Sequence, residues 1–543
     1  MKRSHKILTV ASIIVFTCVV VLAIGGLFVT RYANRKFDEA MSASGMKISN
    51  LSVNLFTRSV TVTGLVWIIP GDILSAKPHT IAIDKVYIGG IDLYQLIKYR
   101  KLNIHSLSID DGTLTFNKGY RVKQDSSNTK KKTLKGLSIA NLSLNNVAFK
   151  MMDDTLQEYA GMVNASVGRL NIPNLDSIKD IHGFEYNSID ATIAHLAMGA
   201  RKSMYNCTVA NIHVSTFDKE ITIDSILLLP KYSKYKFSRK IGRQVDRFVL
   251  QLPKLLLQGV SFDEMKDTVF MATSLELRNA KLHVYRDKRL PFIRDHNLPL
   301  PIAFVRTLPF SASVDSIKIV DAKITYEEFP EKGFHPGQIV FEKLNASLDH
   351  ISNRDFYTNY THATLKASAK VMGNGTIKAQ FTLPYEKSQP YNAKGTISNL
   401  SLYKLNPILE NLAFVSIEEG RLNALDFNFD YNEFTSRGSI LLNYEGLKMN
   451  SLTRDKEADK NDFKSWVLNM FLKKDKDKDV SVEKRTGKIE YDRDRRRAIF
   501  NVWVRSLMSG LKSSVLDTQD KKEKDSKEKE APNKSKKEKV ANS

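Results

Sequence analysis

The sequence predicts a mainly β protein. One N-terminal transmembrane helix leads into an elongated, repetitive antiparallel β-sheet groove with a few short helices. Three observations carry this reading. Residues 48–65, ISNLSVNLFTRSVTVTGL, alternate apolar and polar side chains, and a period of two gives each set one face of a strand. A short unit with one fixed turn position returns along most of the chain. Near the start lies an uncharged apolar run, Ile7 to Val29.

The chain has 543 residues, a formal net charge of +23 and 42% hydrophobic residues. The positive balance calls for an anionic partner surface. Only 9% of residues are aromatic. With no zinc-finger spacing and no aromatic-rich RNA-binding signature, nucleic acid is not the expected partner. Two cysteines, Cys18 and Cys207, sit in unrelated contexts and build no disulfide framework.

At about 1.5 Å per residue, the run 7–29 spans a hydrocarbon core of about 30 Å. It exceeds a signal-peptide core, and no Ala-x-Ala site follows closely, so a retained anchor is expected. Residues 1–6 then form a cytoplasmic N-terminus and 30–45 a helical neck. The 48–65 stretch, broken near Arg58, reads as a hairpin. Ile81 to Ile88 is a further strand. IDLYQLIKY (91–99) spaces Leu93, Leu96 and Ile97 as a short helix. LNIHSLSIDDGTLTF (102–116) reads as two strand halves around a turn at Asp110-Asp111-Gly112.

That last unit repeats. Leu107, Ile109, Asp111, Gly112, Leu114 and Phe116 are echoed by Leu142, Leu144, Asn146, Val147, Phe149 and Met151. The pattern returns from Leu255 with Gly259, from Leu275 with Asn279, from Ile317 with Asp321, and more loosely from Val415 with Glu419-Gly420. The opening hairpin also has a second copy: Val209–Leu229 follows Ile48 onward at a constant spacing of 161 residues, matching Val53 to Val214, Phe56 to Phe217 and Val60 to Ile221. Such units stack along one axis. A first groove half is expected over 46–290, a proline-rich break over 291–309, and a second half over 310–452. Leu400 to Leu412 reads as a short helix with Pro407 near its start. Residues 453–516 hold amphipathic helices and a short strand. In the last helix (498–516) Phe500, Trp503, Val504, Leu507, Met508, Leu511 and Val515 share a face, with Gly510 counting against it. The Lys/Glu-rich 517–543 reads as disordered.

No catalytic constellation emerges: there is no Gly-Lys-Ser phosphate loop, no Gly-x-Ser-x-Gly and no His-Glu-x-x-His. His105, His213 and His283 read as ordinary sheet residues, and Asp110-Asp111 as turn chemistry. No enzyme activity, cofactor or metal is therefore expected.

Three stretches together look like the AsmA family of Gram-negative envelope proteins, relatives of TamB. They are LSVNLFTRSVTVTGL after an N-terminal anchor, KVYIGGIDLYQLIKYRKLNIHSLSIDDGTLTF, and ISNLSLYKLNPILENLAFVSIEEGRLNALDFNFDYNEFTSRGSILLNYEGL. The similarity is strongest at 46–118 and 396–449. It implies a single-pass inner-membrane protein with its bulk in the periplasm, a β-groove, and phospholipid transport toward, and assembly of, the outer membrane. It supplies no catalytic residue. Phospholipid and the inner membrane are the implied partners, with another envelope or outer-membrane protein at the far end.

An alternating sheet with few helices must close its apolar face, pair it, or leave it open for a ligand. An open groove would solvate acyl chains at about 0.8 kcal/mol per methylene. The candidate lining residues are Val53, Leu55, Val60, Val62, Ile109, Leu114, Val214, Ile221, Ile223, Leu277, Leu282, Ile319 and Ile324. The competing expectation is an envelope scaffold or assembly factor with a closed β core.

Overall fold

A computed structural model describes residues 26–35, 45–69, 77–118, 134–153, 156–174, 183–200, 202–293, 297–353, 360–452 and 483–514. The expected anchor up to residue 25, most of the neck, the helix around Trp466 and the 517–543 tail lie outside them. Among the described residues no helix is long and apolar enough to cross a membrane. The protein is mainly β, with 21 strands assigned to one mixed sheet. The chain divides into two compact units, Met1–Leu228 with Leu256–Asp267, and Leu229–Leu255 with Thr268–Ser543.

In unit 1, helix α1 (26–35) precedes β1 (Met46–Lys47), β2 (Asn50–Asn54), β3 (Ser59–Ile68) and β4 (Thr80–Gly89). Helix α2 (Leu93–Tyr99) is followed by β5 (Lys101–Asn117), β6 (Gly136–Asp153), β7 (Leu156–Ile172), β8 (Ser188–Met198), β9 (Tyr205–Ser215) and β10 (Glu220–Pro230). Strands β1 and β2 both pair with β3, and antiparallel pairing continues through β4 to β5. Then β5 and β6 run parallel, and β7, β8 and β9 return to antiparallel pairing. The purely antiparallel expectation is thus corrected to a mixed sheet. The physical reason is the hydrophilic stretch after Asn117, which is long enough to return the chain to the starting end of β5, as a parallel pair requires.

In unit 2 come helix α3 (Lys234–Ile241), β11 (Asp246–Gln258), whose last residues belong to unit 1, β12 (Val269–Arg278) and β13 (Lys281–Asp287). Helix α4 (Phe262–Lys266) lies in unit 1. After α5 (Pro301–Val305), β14 (Ser311–Phe329) runs parallel to β12 along its first half and to β13 along its second. An antiparallel meander follows: β15 (Gly337–Ser352), β16 (His362–Val371), β17 (Gly375–Pro384), β18 (Tyr391–Ser401), β19 (Val415–Tyr431), β20 (Thr435–Ser451) and β21 (Glu483–Asp492). Helix α6 (Asn406–Leu412) carries its proline in the first turn, and α7 (499–514) closes the described chain. The prolines of 291–309 do not divide the units. Leu300 and Ile302 are buried, and the Leu298 amide donates to the Arg495 carbonyl at 2.7 Å within unit 2.

The repeated unit is not a chain reversal. Asp111, Asn146, Asn279, Asp321 and Gly259 all hold left-handed backbone, with φ between 52° and 64°. Asp, Asn and Gly reach this conformation most readily. One left-handed residue inside a strand makes a bulge, slips the alternation by one place and bends the strand. The chain then continues: in both β5 and β6, pairing runs from Ile109↔Leu144 to Gly112↔Val147 without reversing. This is why single strands reach 17–19 residues where two short halves were expected. At Asn279 the two halves are separate strands, β12 and β13, which continue in one direction beside β14, and the copy from Leu255 departs further, since Gly259 follows β11 and α4 comes next. In the sixth copy the positive φ falls one place later, on Gly420.

The two hairpin copies share backbone detail at the same 161-residue spacing. Turns occupy 55–58 and 216–219. The left-handed residues are Arg58 and Gly64 in one copy, Lys219 and Ser225 in the other.

Both described edge strands are capped by a helix. In α1, Asn34 accepts from the Leu51 amide at 2.9 Å and donates to its carbonyl at 2.6 Å, while the Thr30 hydroxyl accepts from the Val53 amide at 2.8 Å. In α7, the Ser509 hydroxyl exchanges two bonds with the Glu490 backbone (3.1 and 2.6 Å), and Ser513 accepts from the Lys488 amide. Four residues of helix rise about 6 Å and two residues of strand about 6.6 Å. Polar side chains four apart on a helix therefore meet alternate backbone groups of an adjacent edge.

Candidate functional site

The registers of unit 1 align apolar side chains in rows across the strands. One row runs Val53–Val60–Ile88–Leu107–Leu142–Val167–Ile189, and the next Leu51–Val62–Val86–Ile109–Leu144–Ala165–Ala191–Val214. Past the bulges, Leu65, Ile83, Gly112, Val147, Val163, Ile193 and Ile212 continue the pairing, followed by Trp67–Ile81–Leu114–Phe149. That these lie on one face is visible at Gly112, where a Cβ would stand 3.4 Å from Ile83 and 3.7 Å from Val147 side-chain atoms. By the hairpin repeat, Ile221 and Ile223 are the counterparts of Val60 and Val62.

Thus Val53, Val60, Val62, Ile109, Leu114 and Val214 share one apolar face of unit 1. Leu55 is the exception: it belongs to the 55–58 turn rather than to a strand. In unit 2, Leu277 pairs with Ile319 and Leu282 with Ile324, on a separate stretch of sheet. All thirteen candidates are half-buried, none fully covered. Of the twelve largest fully buried side chains among the described residues, only Ile139 and Val260 belong to unit 1. Helices α2 and α4 bury none of their residues. Among the described residues, unit 1 therefore holds a broad apolar face without a second packed layer.

The opposite face is polar. Asp110 accepts from Ser108 at 2.7 Å and from Asn145 at 2.6 Å, and Asn146 donates to Asp111 at 3.2 Å. The bonds from Ser108 and Asn145 hold the Asp110 carboxyl below its usual range. The pair is a ladder between bulges, each carboxylate held through its Oδ1. An open polar cleft of about 730 Å³ also belongs to unit 1, with His105, Arg169, Asn171 and Glu185 in its wall.

The C-terminal strands of unit 2 have their apolar face covered. Helix α7 lies on β20 and β21 through a stripe of Val502, Ser506, Gly510 and Ser514, all buried. Trp503 stacks on Phe381 with centroids 4.1 Å apart, and the Ser506 and Ser436 hydroxyls meet at 2.6 Å. Of the expected face, Trp503, Met508 and Leu511 pack on the sheet, whereas Phe500 and Val504 are exposed and the small residues form the buried centre of the contact. Small residues win the contact since they let the helix axis approach the sheet. Met508 and Leu511 pack on Val415, Ile417 and Met449.

Sequence reasoning missed an ion-pair lattice around α3. Lys234 and His283 both meet Glu327, Lys288 meets Glu328 at 2.6 Å, and Arg286 clasps Asp246 with bonds of 2.7 and 2.6 Å. Arg289 does the same to buried Asp287 at 2.8 and 2.7 Å. Burial pushes the Tyr285 and Tyr326 phenols well above their usual range. Each carboxylate here has a cation, so the lattice fastens α3 to β13 and β14. Only its adjacent charged residues, Glu327-Glu328 and Arg286 to Arg289, hinted at it in sequence. Among the described residues no three metal-ligating side chains converge.

No protein-family model matches the chain, and no curated protein matches it.

Proposed function

We propose that this chain is an inner-membrane-anchored, AsmA-like envelope protein. It binds phospholipid along the apolar face of unit 1, acting as a groove, and supports lipid movement toward, and assembly of, the outer membrane. The observation that carries the reading is the set of aligned, half-buried apolar rows in unit 1. Water against such a surface is unfavourable by about 25 cal/mol per Å², and acyl chains relieve that cost while headgroups stay solvated. The run 7–29 supports retention at the membrane, and the +23 net charge suits anionic lipid. The reading assigns no catalytic residue and no cofactor.

The test is native mass spectrometry of full-length protein extracted in mild detergent. Bound phospholipid is expected. Val60→Asp and Ile109→Asp should lower occupancy several-fold. Thr61→Asp, on the other face of the same strand, should leave it unchanged. Thr61 is a better control than Ser108, because Ser108 donates to Asp110. Equal occupancy in all variants, with circular dichroism showing folded protein, would remove the groove assignment.

A second reading is favoured by the covered face of the C-terminal strands of unit 2: a non-transporting scaffold whose sheet serves assembly partners. Lipid-free protein that still captures an outer-membrane assembly factor would favour it.

A further inference from the structure

One end of the unit 1 sheet is unlike the rest. Strands β2 and β9 both run into their hairpins at this end, α2 links β4 to β5 there, and β6 begins there. Neighbouring contacts make the end continuous. The Ile91 amide donates to the Arg58 carbonyl at 3.1 Å, and Lys135 to Arg100 at 2.8 Å. Lys266 of α4 lies 4.7 Å from the Tyr186 ring centre, and the Val260 amide donates to Lys219 at 2.9 Å.

This end presents large apolar side chains that cover nothing. Phe56 and Phe217, at the same position of the two hairpin copies, are 70% and 85% exposed, and Ile97 on α2 is 81% exposed. Tyr94 is exposed beside them, with Lys98 donating to its hydroxyl at 2.7 Å. Each tip carries an exposed cation two places past its phenylalanine, Arg58 after Phe56 and Lys219 after Phe217, with exposed Asp218 between the latter two. Apolar tips ringed by aromatic and basic residues match the membrane interface, where an apolar body enters the acyl boundary and cations meet anionic headgroups. Among the described residues at the opposite end, exposed apolar residues such as Ile68 and Leu156 remain on strands and are at most half exposed.

The direction of α1 places the bilayer at the same end. Thr30 bonds Val53 and Asn34 bonds Leu51, so α1 runs antiparallel to β2. Its first described residue, Gly26, lies beside the Val53 carbonyl, close to the 55–58 turn. The apolar run therefore joins unit 1 at the end that carries Phe56.

We propose that this end of unit 1 rests in the headgroup region of the bilayer holding residues 7–29. Phe56 and Phe217 dip into the acyl boundary, and α2 lies along the surface. The mouth of the apolar face is then held against the lipid it takes up. The proposal rests on the anchored reading above, but not on lipid occupancy of the groove.

The test uses full-length protein in vesicles of phosphatidylcholine with one quarter phosphatidylglycerol. In a Cys18→Ser, Cys207→Ser background, an environment-sensitive fluorophore is attached at Phe217→Cys, Ile97→Cys or Leu156→Cys. Blue-shifted emission and quenching by shallow spin-labelled lipid are expected at 217 and 97, about twofold or more beyond 156. Using two positions guards against one variant that fails to fold. Quenching no greater than at 156, in protein that floats with the vesicles, would overturn the docking while leaving the anchor standing. Failure to float would overturn both. Quenching at 97 and 217 in protein without co-purified lipid would uphold the docking and discard the groove.

Discussion

At Gly487 and Gly510 a missing Cβ decides the packing of a whole helix. A Cβ on Gly487 would stand 1.9 Å from the Gly510 carbonyl oxygen, a backbone atom. A Cβ on Gly510 would stand 2.9 Å from Ile440 and Ile489 side-chain carbons, which can give. Overpacking costs about 1–3 kcal/mol, and at Gly510 the better helix propensity of alanine returns up to about 1 kcal/mol. Gly487→Ala should therefore lower the melting temperature clearly, and Gly510→Ala much less. Equal melting shifts would contradict the close approach. A second residue-scale effect is acid sensitivity. Burial works to raise the Asp287 carboxyl, but the paired hydrogen bonds and charge of Arg289 outweigh it and hold the group below its usual range. A depressed carboxyl stabilises the fold above the unfolded value of about 3.9 and loses that contribution as pH falls through the folded value. The stability gap between wild type and Asp287→Asn should be widest near neutral pH and shrink below about pH 4. Melting curves from pH 7 to pH 3 check this, and a constant gap would remove the linkage.

At the scale of elements, the edge caps and the bulges do the organising. An uncapped edge offers unpaired amides and carbonyls to another chain. The double variant Thr30→Val, Asn34→Leu keeps side-chain bulk but removes the bonds to Leu51 and Val53. It should self-associate in detergent, seen by light scattering, at a cost of about 1 kcal/mol per lost bond. A variant that stays monodisperse and equally stable would show that the cap is not needed. The bulges explain the repeats in physical terms. Each copy supplies an Asp, Asn or Gly at the positive-φ position, and five of the six follow it with a small or β-branched residue. Sequence spacing revealed the special position. It could not distinguish a turn from a bulge, since both select the same residue types.

For the whole molecule, the net charge of +23 permits peripheral binding to anionic lipid without any inserted segment. The two cases separate by salt, because ionic attachment is screened within about 3 Å at 1 M. The protein should remain with membranes in 1 M salt and in alkaline carbonate, and its intact mass should include residues 1–30. Release by salt, or a mass lacking those residues, would refute a retained anchor.

The sequence alone determined the β class, the alternation, α2 and the matched hairpins, because those rest on local period and on residue types with narrow conformational preferences. It also placed Val53, Val60, Val62, Ile109, Leu114 and Val214 on apolar positions of their strands. Only the tertiary structure decided that these positions join across strands, since pairing partners and register are non-local. It alone set β5 beside β6 and β12 and β13 beside β14 in parallel, moved Leu55 into a turn, and turned α7 onto its small-residue stripe. The same holds for Phe56 and Phe217: the repeat equated them in sequence, but strand direction brought them to one end of the sheet. Local chemistry fixes what each strand is, and long-range pairing fixes which surface is left open.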